Sequence, residues 1–303
     1  VISSWDLTPV MGGCGLGLNV LTGIDTMYGA AISCVAALFI FWMKEAGRAM
    51  DNFAKILGVL MILLTMYVAI SSYPPLTKAL YHTFFPETIS ATAIVTLVGG
   101  TVGGYISFAG GHRLLDAGIK GEAALPQVTR SAVTGIVVTA VMRFILFLAA
   151  LGVIMKGGIL DNANPPASVF KLAAGELGYR FFGVVMWCAA ISSVVGAAYT
   201  SVSFIKTFHP WLTKNERWVI SFFIIFSTIV FLAIGNPVKI LVAVGALNGF
   251  ILPVALAVML IATVHKKTIG AYQHPWALQC IGWMVVIVMS WMGYLTITNW
   301  LTK

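Results

Sequence analysis

Between Ile89 and Gly111 the chain runs without a charged residue for a length that can cross a bilayer, yet it carries six glycines, most of them clustered in Gly99-Gly100-Thr101-Val102-Gly103-Gly104-Tyr105. About 20 apolar residues in a helix span a hydrocarbon core of about 30 Å. Within that core every backbone N–H and C=O has to be satisfied by protein. Each glycine costs about 1 kcal/mol of helix propensity, so the centre of this run is where a helix breaks. Broken backbone at membrane depth survives only where it is buried in protein or lines a cavity, and secondary transporters build substrate sites from such interruptions.

Further apolar runs lie at about 10–23, 28–43, 54–72, 132–155, 181–205, 218–234, 238–264 and 276–301, which makes nine spans with 89–111. Turn signals separate them, among them Tyr73-Pro74-Pro75, Asn162 to Pro166, His209-Pro210, Gly235-Asn236-Pro237 and His274-Pro275. No low-complexity linker intervenes, so residues 1–303 read as one transmembrane domain of an all-α integral membrane protein. Only 9% of the residues are charged and 59% are hydrophobic, against about 25% charged in a soluble globular domain. The run 10–23 is short for a span, and the chain opens without Met, basic n-region or signal peptide. It therefore reads as a fragment, or as a product that has lost its beginning.

The net charge of +8 is scattered through short loops and forms no basic face, so nucleic acid is not an expected partner. The charges report topology instead. One set of alternate loops holds Lys44, Arg48, Lys55, Arg113, Lys120, Arg130, Lys206, Lys214, Arg217, Lys266 and Lys267; the other holds Lys78, Lys156, Lys171, Arg180, Lys239 and Lys303. The richer set is expected in the cytoplasm, with the C-terminus outside a multi-pass cell membrane protein. Cys14, Cys34, Cys188 and Cys280 all fall in apolar runs and suggest neither disulfides nor a CxxC metal site. The chain has no HExxH, P-loop or GxSxG motif, so neither an enzyme nor an ATP-driven pump is indicated.

Several polar groups are candidates for transport work. The backbone of Gly99, Gly100, Thr101, Gly103, Gly104 and Tyr105 offers free carbonyls and amides at mid-membrane, and a half-helix starting near Tyr105 aims its positive end at the gap. The competing reading is close helix packing through small residues. His112 and Asp116, four residues apart on one helical face, suit a proton relay, or simply a charged helix end. Arg143 lies deep in the next span, where an ionisable residue normally faces the bundle interior. It is either part of that path or a structural partner, with Asp116 the expected mate. Ser192, Ser193 and Thr200 belong to a polar stripe that supplies hard oxygen ligands for a second cation or bonds its own backbone. Asn248, in Gly245-Ala246-Leu247-Asn248-Gly249 ahead of Pro253, is another mid-membrane polar group.

The segment from Thr96 to Gly118, TLVGGTVGGYISFAGGHRLLDAG, resembles the sixth transmembrane helix of the natural resistance-associated macrophage protein (NRAMP) transporters, and more closely a divergent bacterial branch described as divalent metal cation transporters. Gly15-Leu16-Gly17-Leu18-Asn19-Val20-Leu21 is similar to that family's third helix, and Lys44-Glu45-Ala46-Gly47-Arg48-Ala49-Met50-Asp51 to its fourth-to-fifth loop. The resemblance runs from about Gly12 onward. It implies a LeuT-like inverted-repeat fold in which this chain supplies helices three to eleven of eleven. Helices one and two are absent, and with them a metal-binding Asp-Pro-Gly-Asn motif. The family's sixth helix supplies a Met thioether followed by Pro and His; here those positions are Gly103, Gly104 and Tyr105. The backbone carbonyl that the family uses for metal falls on Gly100, and the tenth-helix amide falls on Gly245, one turn from Asn248.

The resemblance implies a secondary transporter of a divalent cation of the Mn, Mg or Fe class, with protons a candidate coupling ion. Loss of the thioether shifts the ligand set toward oxygen, which suits harder cations. One alternative keeps the fold and carries a small organic anion or cyclic amide, coupled to Na⁺ or protons, because glycine enlarges the site and a half-helix N-terminus favours a carboxylate. Another is a transport-incompetent fragment. No resident cofactor is expected, the partners are the lipid bilayer and a small ion or solute, and the sequence does not fix the oligomeric state.

Overall fold

A computed structural model describes residues 2–102, 104–270 and 272–301. Side chains are described throughout except at 2–6, 44–55, 104–107, 266, 268, 300 and 301. The described chain is helical, without strands. Its α-helices are α1 (Ile2–Thr22), α2 (Thr26–Trp42), α3 (Lys44–Ser71), α4 (Leu76–Phe84), α5 (Ala91–Val102), α6 (Gly104–Asp116), α7 (Leu125–Met155), α8 (Pro165–Ile205), α9 (Pro210–Lys214), α10 (Glu216–Ile234), α11 (Pro237–Ala262), α12 (Lys266–Ile269) and α13 (Trp276–Leu301).

The turn signals fall where helices begin and end. Asp25 caps α2 by accepting from the Met27 amide at 2.8 Å, and Asn236 caps α11 by accepting from Lys239 at 3.0 Å, with Pro237 as the first helical residue. Gly235 closes α10 in the left-handed conformation, φ 72°. Asn164 and Pro165 open α8 in the same way, but α8 is not one rod. Gly175 has φ 65° and ψ −164°, so the helix kinks there and the apolar run 181–205 belongs to its second limb.

Each of the nine expected apolar runs falls on helix, but the number of spans is smaller than expected. Among the described residues five helices are long and apolar enough to cross alone, or up to seven if each bent pair counts as one span. The pairs are α1 with α2, meeting at 110°, and α3 with α4, meeting at 104°. The run 89–111 falls on α5 and α6, which flank a residue outside the described ones. The opening helix is longer than its apolar run suggests, because α1 begins at Ile2 and carries Pro9 internally.

Helix α1 is the centre of the bundle and packs against α2, α8, α10 and α11. Its glycines allow this. A Cβ at Gly17 would stand 2.7 Å from the backbone nitrogen of Trp187, so α8 lies directly on the α1 backbone. Leu7, Met11 and Cys14 of α1 meet Ala30 and Cys34 of α2, Ile191 and Val194 of α8, and Ile224 and Phe231 of α10 in the main core. A second core forms where α3, α7 and α8 meet, around Val68, Ala149, Phe170 and Phe182, with the two phenyl rings stacked at 4.5 Å. One polar pair links α8 to α2 within the main core. The Trp187 indole donates to Ser33 at 2.9 Å, and Ser33 donates to the Gly29 carbonyl at 2.7 Å. The cysteines are free thiols, three of them buried.

Candidate functional site

Helix α5 is described to Val102 and α6 from Gly104, on either side of the centre of the glycine cluster. Gly103 itself, and the side chain of Tyr105, lie outside the described residues. The neighbouring glycines divide into two kinds. A Cβ at Gly99 would fall 2.0 Å from the Gly245 carbonyl oxygen and 2.2 Å from the Gly249 nitrogen, both on α11. Gly99 is therefore where two helix backbones touch, and it leaves no room for a ligand on that face. At Gly100, one residue on, a Cβ would meet nothing within 4 Å. Packing and opening alternate on the two faces of α5.

Helix α11 supplies the other half of the contact through Gly245 and Gly249, four apart, which is the small-xxx-small spacing of close membrane helix pairs. Asn248 stands between them, buried. That spacing is visible in the sequence and identifies α11 as the partner of a glycine-rich helix, a role the sequence reading of Asn248 alone passes over.

On the open face, Arg143 reaches across from α7. Its Nη1 donates to the Thr101 hydroxyl, and its Nη2 lies 3.5 Å from the Gly100 carbonyl oxygen. The Thr101 hydroxyl spends its own proton on the Leu97 carbonyl, which leaves a lone pair for the guanidinium. This corrects the expected pairing of Arg143 with Asp116. The two residues sit on helices that separate, and Arg143 has no carboxylate partner among the described residues.

Asp116 closes α6, beyond the apolar span, and is held by a different cation. Lys206, just past α8, approaches Asp116 at 2.8 Å and Glu216 of α10 at 3.3 Å, and Ser203 donates to the same Asp116 oxygen. Burial pushes the Asp116 carboxyl up, but the hydrogen bonds from Lys206 and Ser203 and the charges of Lys206 and His112 outweigh it, so it titrates below the ordinary carboxylate range. His112 packs edge-on to Phe204 with ring centroids 5.0 Å apart, and the Arg113 guanidinium lies 5.4 Å from the Tyr199 ring centroid. The α6 side chains thus dock on α8 as a polar seam, and the His112/Asp116 pair enters it with partners that the i, i+4 spacing could not reveal. Lys206, Ser203 and Glu216 are distant in sequence from Asp116.

The hydroxyls of the second candidate cation site are largely engaged with their own helix. Ser192 donates to the Ala189 carbonyl at 3.3 Å and Thr200 to the Gly196 carbonyl at 2.8 Å, while Ser193 is exposed. Among the described residues no three His, Cys, Asp or Glu side chains gather into a metal-binding group.

The profile of a protein family described as natural resistance-associated macrophage protein-like matches residues 2–299, which extends the resemblance ten residues upstream of Gly12. An uncharacterized membrane protein of Bacillus subtilis is 60% identical over 293 residues, covering 97% of this chain and 72% of that protein. An uncharacterized membrane protein of Haemophilus influenzae is 50% identical over 294 residues, 97% of this chain and 74% of its own. A divalent metal cation transporter of Klebsiella pneumoniae is 24% identical over 303 residues, covering 94% of this chain and 71% of the relative.

Proposed function

Since the chain belongs to the natural resistance-associated macrophage protein-like family of multi-pass membrane transporters, we propose that it is a secondary transporter whose cargo crosses at the break between α5 and α6. The observation that supports this reading is the difference between two neighbouring glycines. Gly99 packs α5 on α11, and at Gly100 a Cβ would meet nothing within 4 Å. The Lys and Arg distribution supports a cell membrane orientation with the Asp116 end of α6 toward the cytoplasm and the C-terminus outside.

Two cargo classes follow, each with its own support. Relatives named divalent metal cation transporters make a divalent cation of the Mn, Mg or Fe class the first cargo to assay, with the Gly100 carbonyl as a candidate ligand. The His112, Asp116 and Lys206 group is then the candidate route for a coupled proton. A small organic anion is favoured by Arg143. A divalent ion on the Gly100 carbonyl would sit beside the Arg143 guanidinium and be repelled by it. A carboxylate in the same place is attracted.

Uptake into proteoliposomes separates the readings. Metal transport requires accumulation of Mn²⁺, Mg²⁺ or Fe²⁺ above empty vesicles, and absence of all three removes it. Organic-anion transport requires accumulation of a labelled acid that persists in EDTA. Vesicles that accumulate neither class defeat the transport reading itself.

A further inference from the structure

Lys206 is one ammonium shared by two carboxylates that belong to different elements. It stands 2.8 Å from Asp116, the last residue of α6, and 3.3 Å from Glu216, the first residue of α10. Its side chain is 17% exposed and each carboxylate 29%, so these are not free surface pairs. The two partnerships differ in kind. Glu216 is ten residues from Lys206 along the chain, across the short segment that holds α9. The Thr213 hydroxyl of α9 donates to the Lys206 carbonyl at 3.2 Å, so the ends of α8 and α10 are tied together independently of α6. Asp116 is remote in sequence and reaches Lys206 only while α6 lies on α8.

The position of Asp116 is unfavourable within its own helix, because a carboxylate in a last turn meets the negative pole. Its stabilisation comes from across the seam, from Lys206 and from the Ser203 hydroxyl near the end of α8. Ala109, His112, Arg113 and Asp116 follow the three-and-four spacing of one helical face. Along it His112 lies edge-on to Phe204, Arg113 lies over Tyr199, and Ala109 is buried. By contrast α1 meets α8 through an apolar core and a glycine backbone contact. Interfaces that come apart are more polar than permanent ones.

An ammonium has three donors. While α6 is docked, Lys206 divides them between Asp116 and Glu216. When α6 leaves, Lys206 keeps Glu216 and is not stranded as an unpaired, partly buried charge. The second carboxylate therefore lowers the cost of releasing the first.

We propose that Lys206 is an exchangeable latch: its ion pair with Asp116 clasps the end of α6 to α8, and Glu216 takes over the ammonium when α6 swings away. The proposal rests on the transport reading for its purpose, which is to close and open one end of the path beside α6. The two carboxylates act in opposite directions on one equilibrium. Removing Asp116 frees α6, whereas removing Glu216 commits Lys206 to Asp116 and holds α6 more tightly. A static ion-pair network would loosen in both cases.

The test uses the full-length protein in nanodiscs, which leave both faces accessible and require no transport. Cys280→Ser removes the exposed thiol, and Ala109→Cys places a reporter on the α8-facing stripe of α6, at a position 2% exposed when α6 is docked. Reaction with a water-soluble maleimide, read by mass, reports departure of α6. Asp116→Asn and Lys206→Gln should each speed labelling about threefold or more, the shift that an ion pair of ordinary strength supplies, and Glu216→Gln should slow it about twofold. Ser203→Ala should speed it less than Asp116→Asn. Each variant is first checked for a monodisperse gel-filtration peak, and Ser203→Ala stands in if Asp116→Asn does not fold. Equal labelling throughout, or faster labelling in Glu216→Gln as well as in Asp116→Asn, overturns the latch. Uptake of Mn²⁺ into proteoliposomes by the parent, with labelling indifferent to Asp116, overturns the latch and leaves the transport reading standing. Opposite shifts in labelling without uptake of any cargo support the latch and defeat the transport reading.

Discussion

Gly99 and Gly100 are adjacent, chemically identical and predicted to respond oppositely to the same substitution. An alanine at position 99 places its Cβ 2.0 Å from the Gly245 oxygen, 2.2 Å from the Gly249 nitrogen and 2.7 Å from the Gly249 Cα. All three are backbone atoms of α11, so no side-chain rotation relieves the overlap. Restoring contacts of about 3.5 Å requires α5 and α11 to part by more than about 1 Å, and overpacking of this kind costs about 1–3 kcal/mol, occasionally more. At position 100 the same methyl meets nothing within 4 Å, and the helix gains up to about 1 kcal/mol of propensity. The two variants should therefore differ by about 2–4 kcal/mol in stability. In a detergent melt followed by fluorescence-detected gel filtration, Gly99→Ala should lose its folded peak several degrees below Gly100→Ala, with the parent between them. If Gly99→Ala melts with or above Gly100→Ala, the packing account of the glycine cluster is wrong.

Acid should loosen the α6 seam in a defined direction. Because the folded Asp116 carboxyl titrates below its unfolded value, its stabilisation is complete above about pH 4 and is lost as pH falls through the depressed folded value. Asp116→Asn should flatten that acid limb in a pH-dependent melt, whereas an unchanged limb would mean that Lys206 does not hold Asp116 in solution. Removing the Ser33 hydroxyl leaves the Trp187 indole N–H without its acceptor and should cost about 1–3 kcal/mol. In the Trp187→Phe background the cost of Ser33→Ala should shrink, and equal costs in the two backgrounds would mean that the bond contributes nothing.

Much of this arrangement is legible in the sequence because membrane burial writes itself into composition. Charge-free runs locate the helices, and Gly235-Asn236-Pro237 and Asn164-Pro165 mark their ends through backbone chemistry that acts within a few residues. What each glycine faces is not legible, since Gly99 and Gly100 differ only in which side of α5 meets α11. The Gly245/Gly249 spacing is the one sequence signal that points to that partner. The charge network is illegible on similar grounds: Lys206 bridges Asp116 and Glu216, and Arg143 bonds oxygens of α5, through contacts between separate helices. The bends of 110° and 104° that join α1 to α2 and α3 to α4 arise from short connections whose angle no hydropathy pattern encodes.

The central claim is that cargo passes the open face of α5 at Gly100. Its most direct test is proteoliposome uptake of Mn²⁺ and of labelled carboxylates by the full-length protein, compared with a Gly100→Trp variant whose indole fills that face and whose fold is verified by gel filtration. The account predicts uptake of one cargo class above empty vesicles by the parent and loss of that uptake in the variant. Uptake that survives the tryptophan at the parent's rate would contradict it.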